Sequence, residues 1–309
     1  MIQSDSNRDS RMSDAEFRMF AQLLRNHCGL HFGEETRFLL EKRVSRRMSQ
    51  CSVNNYSAYH YELRNASHQD GELAQLIDDV TTNETYFLRE RGQLRALVGE
   101  IFPEVLMQRR ERGNRPITVW SAGCASGEEP YSIVILAREL GMDPCSDLRV
   151  YASDISRRML RRARQGMYGE SSFRETETHL RDRYFEEKEG QWKISDEIKR
   201  HVDFIHINLM DRSKIALLGA MDVILCRNVI IYFDTESKRK LIQTFEEKLR
   251  PGGHLLLGHS ESLINLSTSL ELRHLKHDLV YRRPVAGLSA PDPWHAAARA
   301  ALDEAERSS

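Results

Sequence analysis

No two cysteines in this sequence are spaced C-x-x-C, and the five present, Cys28, Cys51, Cys124, Cys145 and Cys226, are odd in number. The pattern argues against a closed disulfide framework and the common zinc spacings, so reduced thiols and no metal site are expected. No run of 18 apolar residues occurs, and the segment from Met1 to Met12 is polar without an apolar signal core. A cytoplasmic chain without membrane insertion is therefore expected. Neither charge dominates, since 45 Lys and Arg against 46 Asp and Glu leave a net charge of -1. A bulk nucleic-acid binder would carry a broad basic surface, so no nucleic-acid partner is expected. Internal repeats and low-complexity tracts are lacking too.

What is present is helical periodicity followed by alternating strands and helices. The 309 residues, 40% of them hydrophobic, suffice for one large domain and one small one. Ser13-x-x-Glu16 is a capping box opening a helix whose Phe17, Phe20 and Leu24 share a face, and Gly29 ends it. A second helix over about 34–48 has Leu40, Val44 and Met48 as its apolar stripe, with Arg43, Arg46 and Arg47 beside it. Short helices near 56–65 and 71–80 complete a bundle, and Thr81-Thr82-Asn83 reads as a hinge. A long helix with Leu94, Leu97, Val98 and Ile101 follows, which Pro103 should break or kink. From Pro284 onward, Pro291 and Pro293 before an Ala-rich run read as a linker and a short terminal helix.

The chemistry concentrates after residue 116. Ile117 to Ser121 reads as a strand, Ala122 to Gly127 as a small-residue turn, and Glu128 to Leu140 as a helix with Pro130 in its first turn. Ile133, Leu136, Ala137 and Leu140 are expected to form its buried face, and Gly141 suits a left-handed cap. Leu148 to Ala152 closes a strand-helix-strand unit, with Asp154 just beyond. In such a unit ligands bind outside the carboxyl ends of the strands. Glu128 and Glu129 at the helix start would repel a diphosphate but suit a cationic ligand, while Asp154 suits a ribose diol. Further strands, Phe204 to Ile207 and Met221 to Cys226, end in Asn208-Leu209 and Arg227-Asn228. The asparagines offer amide groups to a ligand, or simply terminate strands. Tyr232, in the apolar run Val229 to Phe233, is either a satisfied core tyrosine or a site residue.

Five ordered blocks then carry a specific resemblance. Thr81-Thr82-Asn83-Glu84-Thr85-Tyr86-Phe87-Leu88-Arg89-Glu90, the run from Trp120 through Gly127-Glu128-Glu129-Pro130-Tyr131-Ser132, Ala152-Ser153-Asp154-Ile155, Cys226-Arg227-Asn228-Val229-Ile230-Ile231-Tyr232-Phe233, and Gly258-His259-Ser260-Glu261-Ser262 resemble the signature blocks of the CheR family, the chemoreceptor glutamate methyltransferases. The likeness spans about residues 13–283. It implies an α/β fold: a Rossmann-like S-adenosylmethionine-dependent methyltransferase domain over 83–283, preceded by an all-α N-terminal domain over 13–82. Tails over 1–12 and 284–309 flank them, the first expected to be disordered. A small antiparallel β-subdomain is expected at about 181–204, where Arg183 to Phe185, Gln191 to Ile194 and His201 to Phe204 suggest strands around a Glu189-Gly190 turn.

The resemblance implies S-adenosylmethionine as cofactor and methyl-accepting chemoreceptor cytoplasmic helices as partner. It implies that Arg89 and Tyr232 lie nearest the transferred methyl, and that Asn83, Thr85, Arg89, Glu129, Asp154, Asn208, Leu209, Arg227 and Asn228 contact the cofactor. Arg43, Arg46 and Arg47 would dock the acidic substrate helix. Some members grip a receptor C-terminal pentapeptide with the β-subdomain through a longer, glycine-richer loop than Glu186 to Gly190. This sequence departs from that pattern, which makes receptor C-terminal pentapeptide binding doubtful. His259 and Ser260 lack a G-x-S-x-G elbow and read as strand-end structure. Competing readings are a methyltransferase on nucleic acid or a small molecule, and a non-catalytic scaffold or sensor of S-adenosylmethionine. The first lacks an Asn-Pro-Pro-aromatic motif after Cys226, and joint retention of Arg89 and Tyr232 speaks against the second.

Overall fold

The computed structural model describes residues 11–65, 71–110, 115–264, 266 and 268–285. The expected tails, apart from Arg11, Met12 and residues 284–285, lie outside these residues. The capping box forms as read: Ser13 accepts the Glu16 amide while the Glu16 carboxylate accepts the Ser13 amide, starting helix α1 (Asp14–Cys28). Gly29, at φ +77°, ends it by donating to the Arg25 carbonyl. A short 3-10 turn (Glu34–Thr36) leads into α2 (Arg37–Gln50), followed by α3 (Tyr56–Asn65) and α4 (Glu72–Val80). Phe17, Phe20, Leu24, Leu40, Val44, Tyr59, Leu63 and Leu76 form the bundle core. Met12 is buried in it as well, so packing begins before the expected boundary at residue 13.

Among the described residues the larger domain contributes ten strands: β1 (Ile117–Ala122), β2 (Leu148–Asp154), β3 (Met167–Tyr168), β4 (Phe185–Lys188), β5 (Gln191–Ile194), β6 (Val202–His206), β7 (Met221–Cys226), β8 (Leu249–Leu257), β9 (Glu271–His274) and β10 (Leu279–Arg282). Seven form one sheet in the order β6-β2-β1-β7-β8-β10-β9. Six of these strands run in one direction and β10 in the other. From β1 the chain winds outward through β2 to β6, then returns to β7 on the other side of β1. The strand order reverses there, opening a crevice at the carboxyl ends. Apolar side chains pack on both faces of the sheet, Val119, Val150 and Val223 in one cluster and Trp120, Ile224 and Leu255 in the other.

Three expectations are corrected. Val202–His206 does not join the β-subdomain but pairs in parallel with β2, Val150 opposite Val202 through Asp154 opposite His206. The small sheet is instead β3-β5-β4, spanning 167–194, with a two-residue hairpin turn at Glu189 (φ +52°) and Gly190 (φ +73°). Alternation predicts a strand but not its neighbour, and two-residue β3 is too short to show a period. Leu140 is exposed at 53%, whereas Tyr131 to Ile135 are all buried, because the helix Glu128–Glu139 is covered on more than one side. Tyr131 packs edge-on against both Tyr168 and Phe204. Pro103 does not break its helix, which continues to Arg110. A π turn over Leu97–Ile101 precedes it, and the widened turn accommodates a proline that cannot donate an amide.

Candidate active site

The crevice is lined by Asn83, Thr85, Arg89, Glu129, Asp154, Asn208, Leu209, Arg227, Asn228 and Tyr232, drawn from five separate stretches of chain. Asp154 ends β2. Its Oδ2 accepts the Ala125 amide at 2.8 Å and its Oδ1 the Ser156 amide at 2.8 Å, so the carboxylate is fixed between two loops with lone pairs to spare. Burial pushes this carboxyl up to about 6 against the pull of those amides. Gly123, at φ +87°, has Val229 where a Cβ would lie, at 2.5 Å, so the turn after β1 requires glycine there.

The two helix-start carboxylates part company. Glu128 is buried away from the crevice, accepting hydrogen bonds from Ser126 at 2.8 Å and Ser172 at 3.1 Å, and burial raises its pKa. The expectation that both would face a cationic ligand is therefore corrected to Glu129 alone. Glu129 accepts the Ser121 hydroxyl at 2.6 Å and pairs with Arg227 at 3.0 Å. Arg227 also pairs with Glu90 at 3.1 Å and donates to the Arg89 carbonyl at 2.5 Å. Burial works to raise the Glu90 carboxyl, but Arg227 outweighs it and holds the group ionised below its usual value. Two carboxylates around one guanidinium leave an excess negative charge beside the crevice, which again suits a cation. Glu90 was missed in the sequence because nothing local distinguishes it from a surface acid.

The loop carrying Arg89 is anchored on both sides. Phe87 is buried in an aromatic group with Tyr168, Phe173 and Phe185, and its amide donates to the Ser172 carbonyl at 2.8 Å. The Leu88 amide donates to Ser132 Oγ at 3.0 Å, tying the loop to the helix of the second block. Leu88 and Glu90 both hold left-handed φ values, +61° and +53°, so Arg89 sits between two strained residues. Its Nη1 donates to the Glu84 carbonyl at 2.8 Å, and its guanidinium lies 5.7 Å from the Tyr86 ring centre.

The N-terminal domain closes another wall, with Cys28, Leu30, His31 and Thr36 at the crevice. Leu30 bridges to Phe233, and the His31 amide donates to the Tyr232 carbonyl at 2.8 Å. Asn208 serves the domain junction: Nδ2 donates to the His27 carbonyl at 2.5 Å and Oδ1 accepts the Met210 amide at 3.0 Å. Among the described residues one amide hydrogen of Asn208 has no acceptor. The Tyr232 phenol has no hydrogen-bond partner among the described residues, although it packs beside the apolar core. His259 pairs with Asp278 at 3.0 Å and does not line the crevice.

The arginines of α2 lie outside the crevice and differ among themselves. Arg47 is the exception to the expected docking face. Its Nε and Nη2 hold the Glu72 carboxylate at 2.7 and 2.5 Å, and Glu72 also accepts the Tyr59 hydroxyl at 2.6 Å. The pair clamps α2 to α4, an acid 25 positions away that a single-helix reading cannot anticipate. Arg46 pairs with Asp79 at 2.8 Å but stays half exposed, and Arg43 has no partner among the described residues. Arg47→Ala should therefore cost about 2 kcal/mol of stability. Thermal melting checks this, with S-adenosylmethionine affinity unchanged well below the transition.

Residues 83–278 match the model of the CheR methyltransferase SAM-binding domain, and residues 15–81 that of the CheR methyltransferase all-alpha domain. The chain is 35% identical over 280 residues to chemotaxis protein methyltransferase 2 of Vibrio cholerae, covering 90% of this chain and 96% of that one. With the chemotaxis protein methyltransferase of Salmonella typhimurium it shares 34% identity over 267 residues, 85% of this chain and 88% of the relative. Both domains are thus matched in order, over the residues that build the crevice, and the chain belongs to the CheR methyltransferase family of S-adenosylmethionine-dependent enzymes.

Proposed function

We propose that this enzyme methylates side-chain carboxylates of glutamates on the cytoplasmic helices of methyl-accepting chemoreceptors, forming methyl esters for chemosensory adaptation in the cytoplasm. The observation that carries the reading is Arg89, a guanidinium held at the crevice by a strained loop, with most of its donors unused among the described residues. A planar fork of this kind matches a carboxylate. Among the described residues, no helix is long and apolar enough to cross a membrane.

The donor set fits S-adenosylmethionine. Asp154 keeps lone pairs for the ribose hydroxyls, the excess charge of Glu90 and Glu129 suits the cationic groups, and Asn83, Thr85, Asn228 and the free amide hydrogen of Asn208 supply polar contacts. When bound, it supplies a methyl on a sulfonium and leaves as the neutral thioether. The substrate glutamate has a pKa near ~4.3 and is already an anion, so no residue need accept a proton. Arg89 holds one carboxylate oxygen and leaves the other to attack in line. Positioning of this kind is worth about 7–11 kcal/mol. Tyr232 supplies the second polar group at the reacting centre.

The deciding experiment incubates the enzyme with methyl-labelled S-adenosylmethionine and a receptor cytoplasmic fragment. Label released from the fragment by mild base as methanol supports the ester; no label on the fragment sinks the reading.

Docking is assigned to Arg43 and Arg46, because Arg47 is held by Glu72. Replacing both with Ala should slow receptor methylation about tenfold at low salt and much less at high salt, with cofactor affinity intact. A wild-type rate at low ionic strength would make them solvated charges. The tight hairpin at Glu189-Gly190 leaves no long loop for a tether. Deleting the receptor's C-terminal pentapeptide should accordingly leave the methylation rate unchanged, and micromolar binding of that isolated peptide would contradict this.

A further inference from the structure

The segment that brings Asn228 and Tyr232 to the crevice has no regular structure to satisfy its amides. β7 ends at Cys226, Asn228 takes a left-handed φ of +58°, and a 3-10 turn covers Ile230–Tyr232. Backbone amides in such a turn need acceptors when removed from water. One side chain supplies them. Glu261 lies just beyond the end of β8, the parallel neighbour of β7. Its Oε2 accepts the amides of Asn228 and Gly258, each at 2.7 Å, and its Oε1 those of Val229 at 2.8 Å and Ile231 at 3.2 Å. The approach is close enough to require glycine at 258, where a Cβ would stand 2.8 Å from Asn228 Nδ2 and 2.9 Å from its backbone nitrogen. Glu261 itself does not line the crevice.

We infer that Glu261 is a positioning residue for methyl transfer: its carboxylate fixes residues 228–231 so that Asn228 and Tyr232 are presented to cofactor and substrate. Four amides on two oxygens use the acceptor capacity of an ionised carboxylate in full. A glutamine of the same shape replaces one oxygen with an amino group, which faces two backbone donors and repels them. Aspartate keeps the charge and both oxygens but falls one methylene short. The effect reaches the reaction only through the loop, so it appears in both cofactor binding and turnover.

The inference rests on reading Asn228 and Tyr232 as site residues, and the test separates the two. The full-length variants E261Q, E261D, Y232F and E261Q/Y232F are compared by calorimetric affinity for S-adenosylmethionine, by turnover on a receptor fragment, and by melting temperature. E261Q should weaken cofactor binding and slow turnover by about tenfold each, well below its melting temperature, and E261D should recover part of both. The losses from E261Q and Y232F should combine less than additively, because the first already displaces the second. A purely structural Glu261 would lower the melting temperature and leave affinity and turnover at wild-type values, which would overturn the inference. Full additivity with a Y232F that is itself impaired would do the same. A silent Y232F beside an E261Q that binds cofactor poorly removes Tyr232 from the site while leaving Glu261 to act through Asn228. Should E261Q fail to fold, E261D decides: wild-type affinity and turnover overturn the inference.

Discussion

Arg89→Ala is expected to lower turnover at saturating S-adenosylmethionine by about 10²–10³-fold, the scale seen when one preorganised donor is removed from a reacting centre. Cofactor affinity should change far less. Asp154, Glu129, Asn208 and Asn228 remain at the crevice, and among the described residues the Arg89 side chain donates one hydrogen bond. The loss falls on turnover because the clamp acts where the carboxylate is aligned for attack. Arg89→Lys should recover only part of the rate, since a point charge lacks the fork that sets a carboxylate's orientation. Tyr232→Phe removes a single hydroxyl and should have a smaller, measurable effect. By the same argument a glutamine at the receptor site is not methylated, because a neutral amide is a poor nucleophile. Single-turnover methyl incorporation measures these rates directly, and a wild-type rate for Arg89→Ala would leave that arginine an ordinary surface charge.

Asp154→Ala should weaken S-adenosylmethionine binding by at least tenfold, since charge-assisted hydrogen bonds to the ribose hydroxyls contribute about 1.5–3 kcal/mol each. Calorimetry reads this, and an unchanged dissociation constant would remove Asp154 from the site. The residue also predicts two opposite pH trends. Burial raises its carboxyl to about 6, above the ordinary 3.8. Binding needs the ionised form, so affinity should fall as pH drops through about 6 and level off above it. Folding favours the protonated form, so the group's contribution to stability is complete below pH 3.8 and is lost as pH rises through about 6. Asp154→Asn should flatten both profiles. The sign of the binding trend is the stronger check, because the nearby Glu90 moves the other way: burial alone would raise it, but Arg227 holds it low.

Much of this protein is legible in one dimension because its signals are local. The capping box at Ser13 and Glu16, the glycine stop at residue 29, the strand from Ile117 and the helix from Glu128 all follow from interactions within a few residues, and each forms as read. The crevice residues are legible for a related reason. In an alternating α/β chain the carboxyl ends of successive strands converge, so Asp154, Asn208 and Asn228 are expected at one crevice, and all three line it.

What the sequence left open depends on contacts between distant segments. Glu128 and Glu129 are adjacent and chemically identical, yet Ser172 lies against the first and Arg227 against the second, 44 and 98 positions away. Arg47 looks like its neighbour Arg43 until Glu72 is brought beside it. β6 has the pattern of a half-buried strand, and only its pairing with β2 decides which sheet it joins. Glu261 makes the same point most sharply, because its four amide partners come together only where two parallel strands end side by side. By itself the sequence determined the capped first helix, the strand-turn-helix from Ile117 and several of the residues that gather at the crevice, since periodicity and capping act over one or two turns. Only the tertiary structure decided which charges are spent on holding the fold and which remain for chemistry, because a charge's role depends on the partner that folding places next to it.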